Sequence, residues 1–98
     1  MQGHVYIMTN RRHGTLYVGQ TRDLVRRIHE HRTEARPGFT ERYDLKRLVY
    51  YESFDWLPDS ILREKRIKAW KRDWKIRLIE ESNPLWDDLA PLLGFDPL

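Results

Sequence analysis

Residues 4–19 read His4-Val5-Tyr6-Ile7-Met8-Thr9-Asn10-Arg11-Arg12-His13-Gly14-Thr15-Leu16-Tyr17-Val18-Gly19, and this stretch decides the fold. His4 to Met8 is β-branched and aromatic. Asn10 to Gly14 is polar and closes on a glycine. Thr15 to Gly19 is strand-forming again. Two such runs around a short Gly-containing turn predict an antiparallel hairpin. The period of two puts His4, Tyr6 and Met8 on one face of the first strand. Thr15, Tyr17 and Gly19 share a face of the second. With the turn between Arg11 and Gly14, Tyr6 and Tyr17 are expected nearly opposite each other and on the same side of the hairpin.

Working outward, Gly19 is expected to end the second strand, and Thr21 to cap a helix with Asp23 in its first turn. Leu24, Val25, Ile28 and Ala35 give that helix an apolar stripe, and Arg36-Pro37-Gly38 should stop it. A loop is expected from Phe39 to Asp44. Leu45 to Glu52 reads as a third strand, with Val49 and Tyr51 on one face and Leu48 and Tyr50 on the other. Leu57-Pro58-Asp59 interrupts, with Asp59 as a cap. Ser60 to Ser82 holds neither Gly nor Pro. Its stripe of Ile67, Trp70, Trp74 and Leu78 fits one long helix; Ile76 and Ile79 on another flank fit two helices bent near Arg72-Asp73. Asn83, Pro84, Asp87 and Asp88 look like the start of a last helix, which Gly94 ends.

The expected fold is α/β (α+β): a three-stranded antiparallel sheet flanked by helices, in the order β-β-α-β-α-(α)-α. It is expected to be a single domain over residues 1–98, with an acidic helical segment at about 83–98. Trp70, Trp74 and Trp86 are expected in the core, with stacking on an unpaired base the alternative for one of them.

The chain has 98 residues, of which 40% are hydrophobic and 12% aromatic. That suits a packed core and a single domain. It has no cysteine, which excludes a disulfide scaffold, cysteine-ligated zinc, an iron–sulfur cluster and a thiol nucleophile. No stretch approaches the roughly 20 apolar residues of a membrane span, and no apolar run follows Met1, so a cytoplasmic protein without a membrane partner is expected. Residues 1–77 carry all eighteen bases and ten acids; residues 78–98 carry five acids and no base. Thirteen of the eighteen bases are Arg. Arg forks onto phosphate oxygens, so this bias mildly favours a phosphate-bearing partner, while a solvated surface beside an acidic tail is the plainer reading of the charge.

The order of motifs resembles the GIY-YIG nuclease family, whose two short strand motifs stand about ten residues apart. The first is His4-Val5-Tyr6 and the second Tyr17-Val18-Gly19. The family's arginine follows one to two helical turns on, within Gln20-Thr21-Arg22-Asp23-Leu24-Val25-Arg26-Arg27. Leu62-Arg63-Glu64-Lys65-Arg66-Ile67-Lys68-Ala69-Trp70 and Asn83-Pro84-Leu85-Trp86-Asp87-Asp88-Leu89 are similar to the small freestanding branch, so the resemblance runs from about residue 3 to 90. His4 stands where family members often have Gly.

The resemblance implies a divalent-metal-dependent endonuclease that hydrolyses phosphodiester bonds in DNA, with DNA repair or recombination as its setting. It implies that Tyr6, Tyr17 or both orient or deprotonate the attacking water, and that Arg27 engages the scissile phosphate. His31, one turn beyond Arg27, either bonds phosphate, protonates the leaving group, or is a solvated helix residue. Glu64 is implied as the one protein ligand of Mg2+ or Mn2+; Mg2+ commonly takes one carboxylate plus waters. The plainer reading of Glu64 is an ion pair with Lys65 or Lys68. Asn83 is either a helix cap or a polar contact of the site. Arg22, Arg26, Lys68, Lys71 and Arg72 are candidates for tracking a phosphate backbone. Two rival functions stand beside the nuclease: a catalytically silent nucleic-acid-binding or adaptor module, and a nuclease subunit that a protein partner targets.

Overall fold

The computed structural model describes residues 1–33 and 44–98. Ala35, the helix stop at Arg36-Pro37-Gly38 and the expected loop from Phe39 to Tyr43 lie outside the described residues. The elements are β1 (Gly3–Thr9), β2 (Leu16–Thr21), α1 (Leu24–Thr33), β3 (Arg47–Phe54), α2 (Leu57–Ala69), α3 (Arg72–Ser82) and a 3-10 turn (Ala90–Leu93). The sheet is antiparallel with order β2-β1-β3.

β1 lies in the middle, and alternation along it divides the core in two. Val5 and Ile7 join Val18, Ile67 of α2, Ile79 of α3 and Trp86. Tyr6 and Met8 join Leu24 and Ile28 of α1, with Leu45, Leu48 and Ala90. The molecule therefore has three layers, with α1 and the 3-10 turn on one face of the sheet and α2 and α3 on the other.

Several local expectations are corrected. β2 does not end at Gly19. Gly19 pairs with Tyr6, and Gln20 and Thr21 carry the strand on opposite Val5 and His4. The glycine is needed for a different reason: a Cβ there would stand 2.4 Å from Cζ and Oη of Tyr6. A glycine inside a strand commonly marks such a close approach. Tyr17 pairs with Met8, not with Tyr6, so the two tyrosines are diagonal neighbours on one face.

β3 carries an irregularity that the period of two cannot show. Ile7 pairs with Tyr50 but Met8 with Leu48, leaving Val49 as an extra residue. After such a bulge the faces swap. Val49 and Tyr50 both pack against the α2–α3 layer, and Leu48 and Tyr51 against the α1 layer. The expected face pairs are thereby exchanged.

Asp23, not Thr21, caps α1: its Oδ1 accepts the Arg26 N–H at 3.1 Å. Thr21 Oγ1 instead accepts the Asp23 N–H at 3.1 Å and so fixes the entry loop. Val25 is exposed and leaves the stripe to Leu24, Ile28 and His31. α2 begins at Leu57 with Pro58 and Asp59 in its first turn, so Asp59 complements the helix dipole without capping. The run from Ser60 to Ser82 is two helices. They break at Trp70 and Lys71, both with ψ 152°, two residues ahead of the expected bend. Trp74 is 53% exposed and Trp86 is buried, so only Trp86 is a fully enclosed core tryptophan.

No helix begins at Asn83. It is the C-terminal cap of α3, and residues 84–89 are turn and irregular chain before the 3-10 turn, with Trp86 at φ 59°. The Asn83 side chain explains this. Its Nδ2 donates to the carbonyls of Val49 (3.0 Å) and Asp87 (2.9 Å), and its Oδ1 accepts the Asp87 N–H at 2.9 Å. Gly94 ends the 3-10 turn in the left-handed region, at φ 96°.

Candidate nuclease site

The face of the sheet covered by α1 gathers the aromatic and basic candidates. Tyr6 projects from the central strand and is fully buried. Gly19 leaves room for its ring. Tyr17 projects from the edge strand, half-buried, its ring centroid 6.2 Å from that of Tyr6. His31, in the last turn of α1, is buried and meets both rings edge-on, at 5.5 Å and 5.4 Å. The Tyr6 hydroxyl and His31 Nε2 share a hydrogen bond of 3.0 Å. His31 is therefore no solvated helix residue. The Leu24-Ile28-His31 spacing sets its ring on the apolar side of α1.

Burial holds the Tyr6 hydroxyl well above the ordinary phenol range, and Tyr17 adds to this. The Arg27 guanidinium acts on the same hydroxyl in the opposite direction, as a charge and as a hydrogen-bond donor, and is outweighed. Tyr6 thus keeps its proton through the neutral range, which suits it to holding His31 and poorly to acting as a base. Tyr17 is the more solvent-accessible of the two phenols.

Arg27 lies one turn before His31, half-buried. Its Nε stands 3.2 Å from Glu30 Oε1. The angle falls short of a hydrogen bond, so Nε is buried with no hydrogen-bond acceptor among the described residues. Glu30 thus neutralises Nε as an ion pair without a hydrogen bond, and a phosphate oxygen with better alignment would compete for that nitrogen. Arg27 also lines a cavity of about 380 Å³ with Gln20, Thr21, Arg22, Asp23, Arg26 and Glu30. Three arginines from the start of α1 therefore line one hollow beside the tyrosine–histidine cluster.

Glu64 comes from the opposite layer. It is half-buried on α2, and its carboxylate stands 3.5 Å from Lys68 Nζ. One turn earlier, Ser60 Oγ accepts from Gln20 Nε2 at 3.0 Å. Gln20 belongs to the edge strand and also lines the arginine cavity, so it links that hollow to α2. Among the described residues no group of three or more His, Asp or Glu gathers as a preformed metal cage. One carboxylate with a loose, exposed lysine partner still fits a hydrated Mg2+, which keeps most of its waters. Arg22 and Arg26 line the cavity, whereas Lys71 is exposed on the α2–α3 corner. Arg72 is occupied within the fold: its Nη2 donates to the carbonyls of His13 (2.7 Å) and Gly14 (2.6 Å), pinning the hairpin turn to α3. Asn83 is likewise satisfied by its backbone partners. The sequence reading missed Gln20 and Glu30. Only the i,i+3 spacing of Glu30 from Arg27 pointed toward either.

Comparison with known proteins covers most of the chain. The profile of the GIY-YIG catalytic domain matches residues 2–77. A UPF0213 protein of Staphylococcus saprophyticus is 32% identical over 82 residues, covering 84% of this chain and 100% of that protein. A UPF0213 protein of Haloquadratum walsbyi is 34% identical over 71 residues, covering 72% of this chain and 80% of that one. The solution NMR structure of a UPF0213 protein from Bacillus halodurans superposes with a TM-score of 0.56 at 25% identity, over 94% of this chain and 97% of that one.

Proposed function

The chain belongs to the GIY-YIG catalytic domain family, a family of nuclease type, and on that premise we propose that it is an endonuclease that hydrolyses phosphodiester bonds in DNA with Mg2+ or Mn2+. The observation that carries this reading is the convergence of Tyr6, Tyr17 and His31 beside the Arg27 guanidinium, which lines an open hollow with Arg22 and Arg26.

Each residue has a role that its surroundings suit. Arg27 binds and neutralises the scissile phosphoryl group. Arg22 and Arg26 hold the strand in the same hollow as point contacts to phosphate. Tyr6, a neutral donor, fixes the ring of His31. Tyr17 and His31 face the reacting atoms, where they orient the attacking water and move its proton. Glu64 would hold the divalent cation, which when bound supplies positive charge at the phosphoryl and leaving oxygens.

The test is incubation of the purified protein with end-labelled linear, nicked and branched DNA and with RNA, in Mg2+, in Mn2+ and in chelator. Cleavage of DNA that needs the cation, and that Glu64→Ala lowers by orders of magnitude with the fold intact, is expected. Full activity in chelator, or in the Glu64→Ala protein, overturns the metal role. Cleavage of RNA alone overturns the substrate class.

A further inference from the structure

In the α2–α3 layer, across the sheet from the tyrosine cluster, a second hollow lies at the break between α2 and α3. It measures about 290 Å³ and is lined by Arg63, Trp70, Trp74, Arg77, Leu78 and Glu81. That is the lower end of the ~300–1,000 Å³ range of ligand pockets, so it suits one small ring system. Two of its six lining residues are tryptophans, and charged Arg63, Arg77 and Glu81 stand around them. The Trp70 and Trp74 ring centroids are 6.1 Å apart with their planes at 71°, forming a corner. We propose that this corner receives an unpaired nucleobase of the bound nucleic-acid strand, with Trp74 as its stacking surface.

Three observations carry the assignment. Arg63 Nε is fixed by Glu52 Oε1 at 2.6 Å, and its guanidinium lies 5.2 Å from the Trp70 ring centroid. The cation place over Trp70 is therefore already filled from within the chain, which argues against a cage for an external cation. Second, Trp74 remains 53% exposed, so the open aromatic surface is hers to offer to a neutral planar ring; base–aromatic stacking tolerates any base. Third, the surrounding segment 63–77 holds eight bases and two acids, and Arg77 takes part in none of the ion pairs found among the described residues. A base seated in the corner thus has cationic side chains beside its backbone phosphates.

The inference deepens the proposed nuclease reading and rests on its nucleic-acid partner. Arg63 and Glu64 are consecutive on α2, roughly 100° apart around the helix axis. The corner and the carboxylate assigned to the cation therefore lie on different flanks of one turn of α2, and the corner favours strands with an unpaired nucleotide away from the cut.

The test separates binding from turnover. In chelator, wild-type protein is titrated with fluorescein-labelled oligothymidylate and with a blunt duplex of equal length, read by anisotropy and by tryptophan emission. Oligothymidylate is expected to quench tryptophan emission. Trp74→Ala should weaken oligothymidylate roughly 10-fold or more, Trp74→Phe much less, and neither should shift duplex affinity beyond about twofold. Trp74 is exposed, and an unchanged melting temperature confirms that both variants fold. Oligothymidylate affinity unchanged in Trp74→Ala, an equal loss for duplex, or quenching by a trimethyl-lysine peptide in place of the oligonucleotide overturns the proposal. Because no cleavage is read, Trp74-dependent binding by an inactive protein leaves this inference standing and sinks the nuclease reading alone.

Discussion

Gly19 and Tyr6 show how one residue's absence of a side chain makes another's position. The Tyr6 ring lies where a Gly19 Cβ would be, and the space lets its hydroxyl reach His31 Nε2. The sequence displayed the residues of this contact but not its partners. The face shared by Tyr6 and Tyr17 follows from period two, and it is observed. Their diagonal offset depends on where the turn closes, which strand alternation leaves open. His31 was legible as a helix neighbour of Arg27, yet its burial depends on how α1 rotates onto the sheet. The hydroxyls of the two tyrosines should therefore behave differently. Tyr6→Phe removes the hydroxyl that meets His31 Nε2, costing about 0.5–1.5 kcal/mol of stability, and also slows cleavage. Tyr17→Phe, half-buried, should slow cleavage by something like ~10²–10⁴-fold with a melting temperature near wild type. Thermal melts and single-turnover rates on both variants check this. A Tyr17→Phe protein as fast as wild type removes Tyr17 from the chemistry.

Between elements, β3 and α2 are joined by a polar chain that no periodicity announces. The Tyr50 hydroxyl donates to Glu52, and Glu52 in turn holds Arg63. Tyr50 reaches that side of the sheet only because Val49 is bulged out. A bulge arises from pairing across strands, so the sequence of one strand does not reveal it. The helix break at Trp70-Lys71 was half legible, since two competing apolar flanks were visible but no Gly or Pro marked the stop. Burial, helped by Glu52, pushes the Tyr50 pKa up to about 12, while the hydrogen bond to Glu52 raises that of Arg63 against the opposite pull of burial. An unfolded tyrosine ionises near ~10. Below pH ~10 both states hold the proton and the full contribution of Tyr50 is present. Between about 10 and 12 the unfolded state alone loses it, so stability falls as pH rises. Tyr50→Phe should flatten the decline of melting temperature between pH 9 and 11. An identical slope in the variant removes Tyr50 as its source.

Across the whole molecule, the acidic residues after 77 act as fasteners. Asp88 pairs with Arg32 and accepts the N–H groups of Leu48 (3.2 Å) and Ala90 (3.2 Å). Arg32 also donates to the carbonyls of Lys46 (3.3 Å) and Asp96 (2.8 Å) and lies over Phe95. The chain's end is thereby tied to α1, one residue from His31. Glu80 accepts from Trp86 Nε1 at 2.8 Å and stands 3.4 Å from His13 Nε2. A sequence-level charge count reads these acids as a tail. Their partners lie in distant elements, so only the fold shows that two of the five are internal ties. The basic excess before residue 78 divides similarly. Arg32, Arg63 and Arg72 hold the fold together, while Arg22, Arg26 and Arg27 line one hollow. The account therefore separates a residue that acts in the transition state from those that set affinity. Arg27→Ala should cut the single-turnover rate of DNA cleavage by orders of magnitude while affinity, measured by salt titration in chelator, moves only a few-fold. An Arg27→Ala protein that cleaves at the wild-type rate, or that loses affinity as steeply as rate, contradicts it.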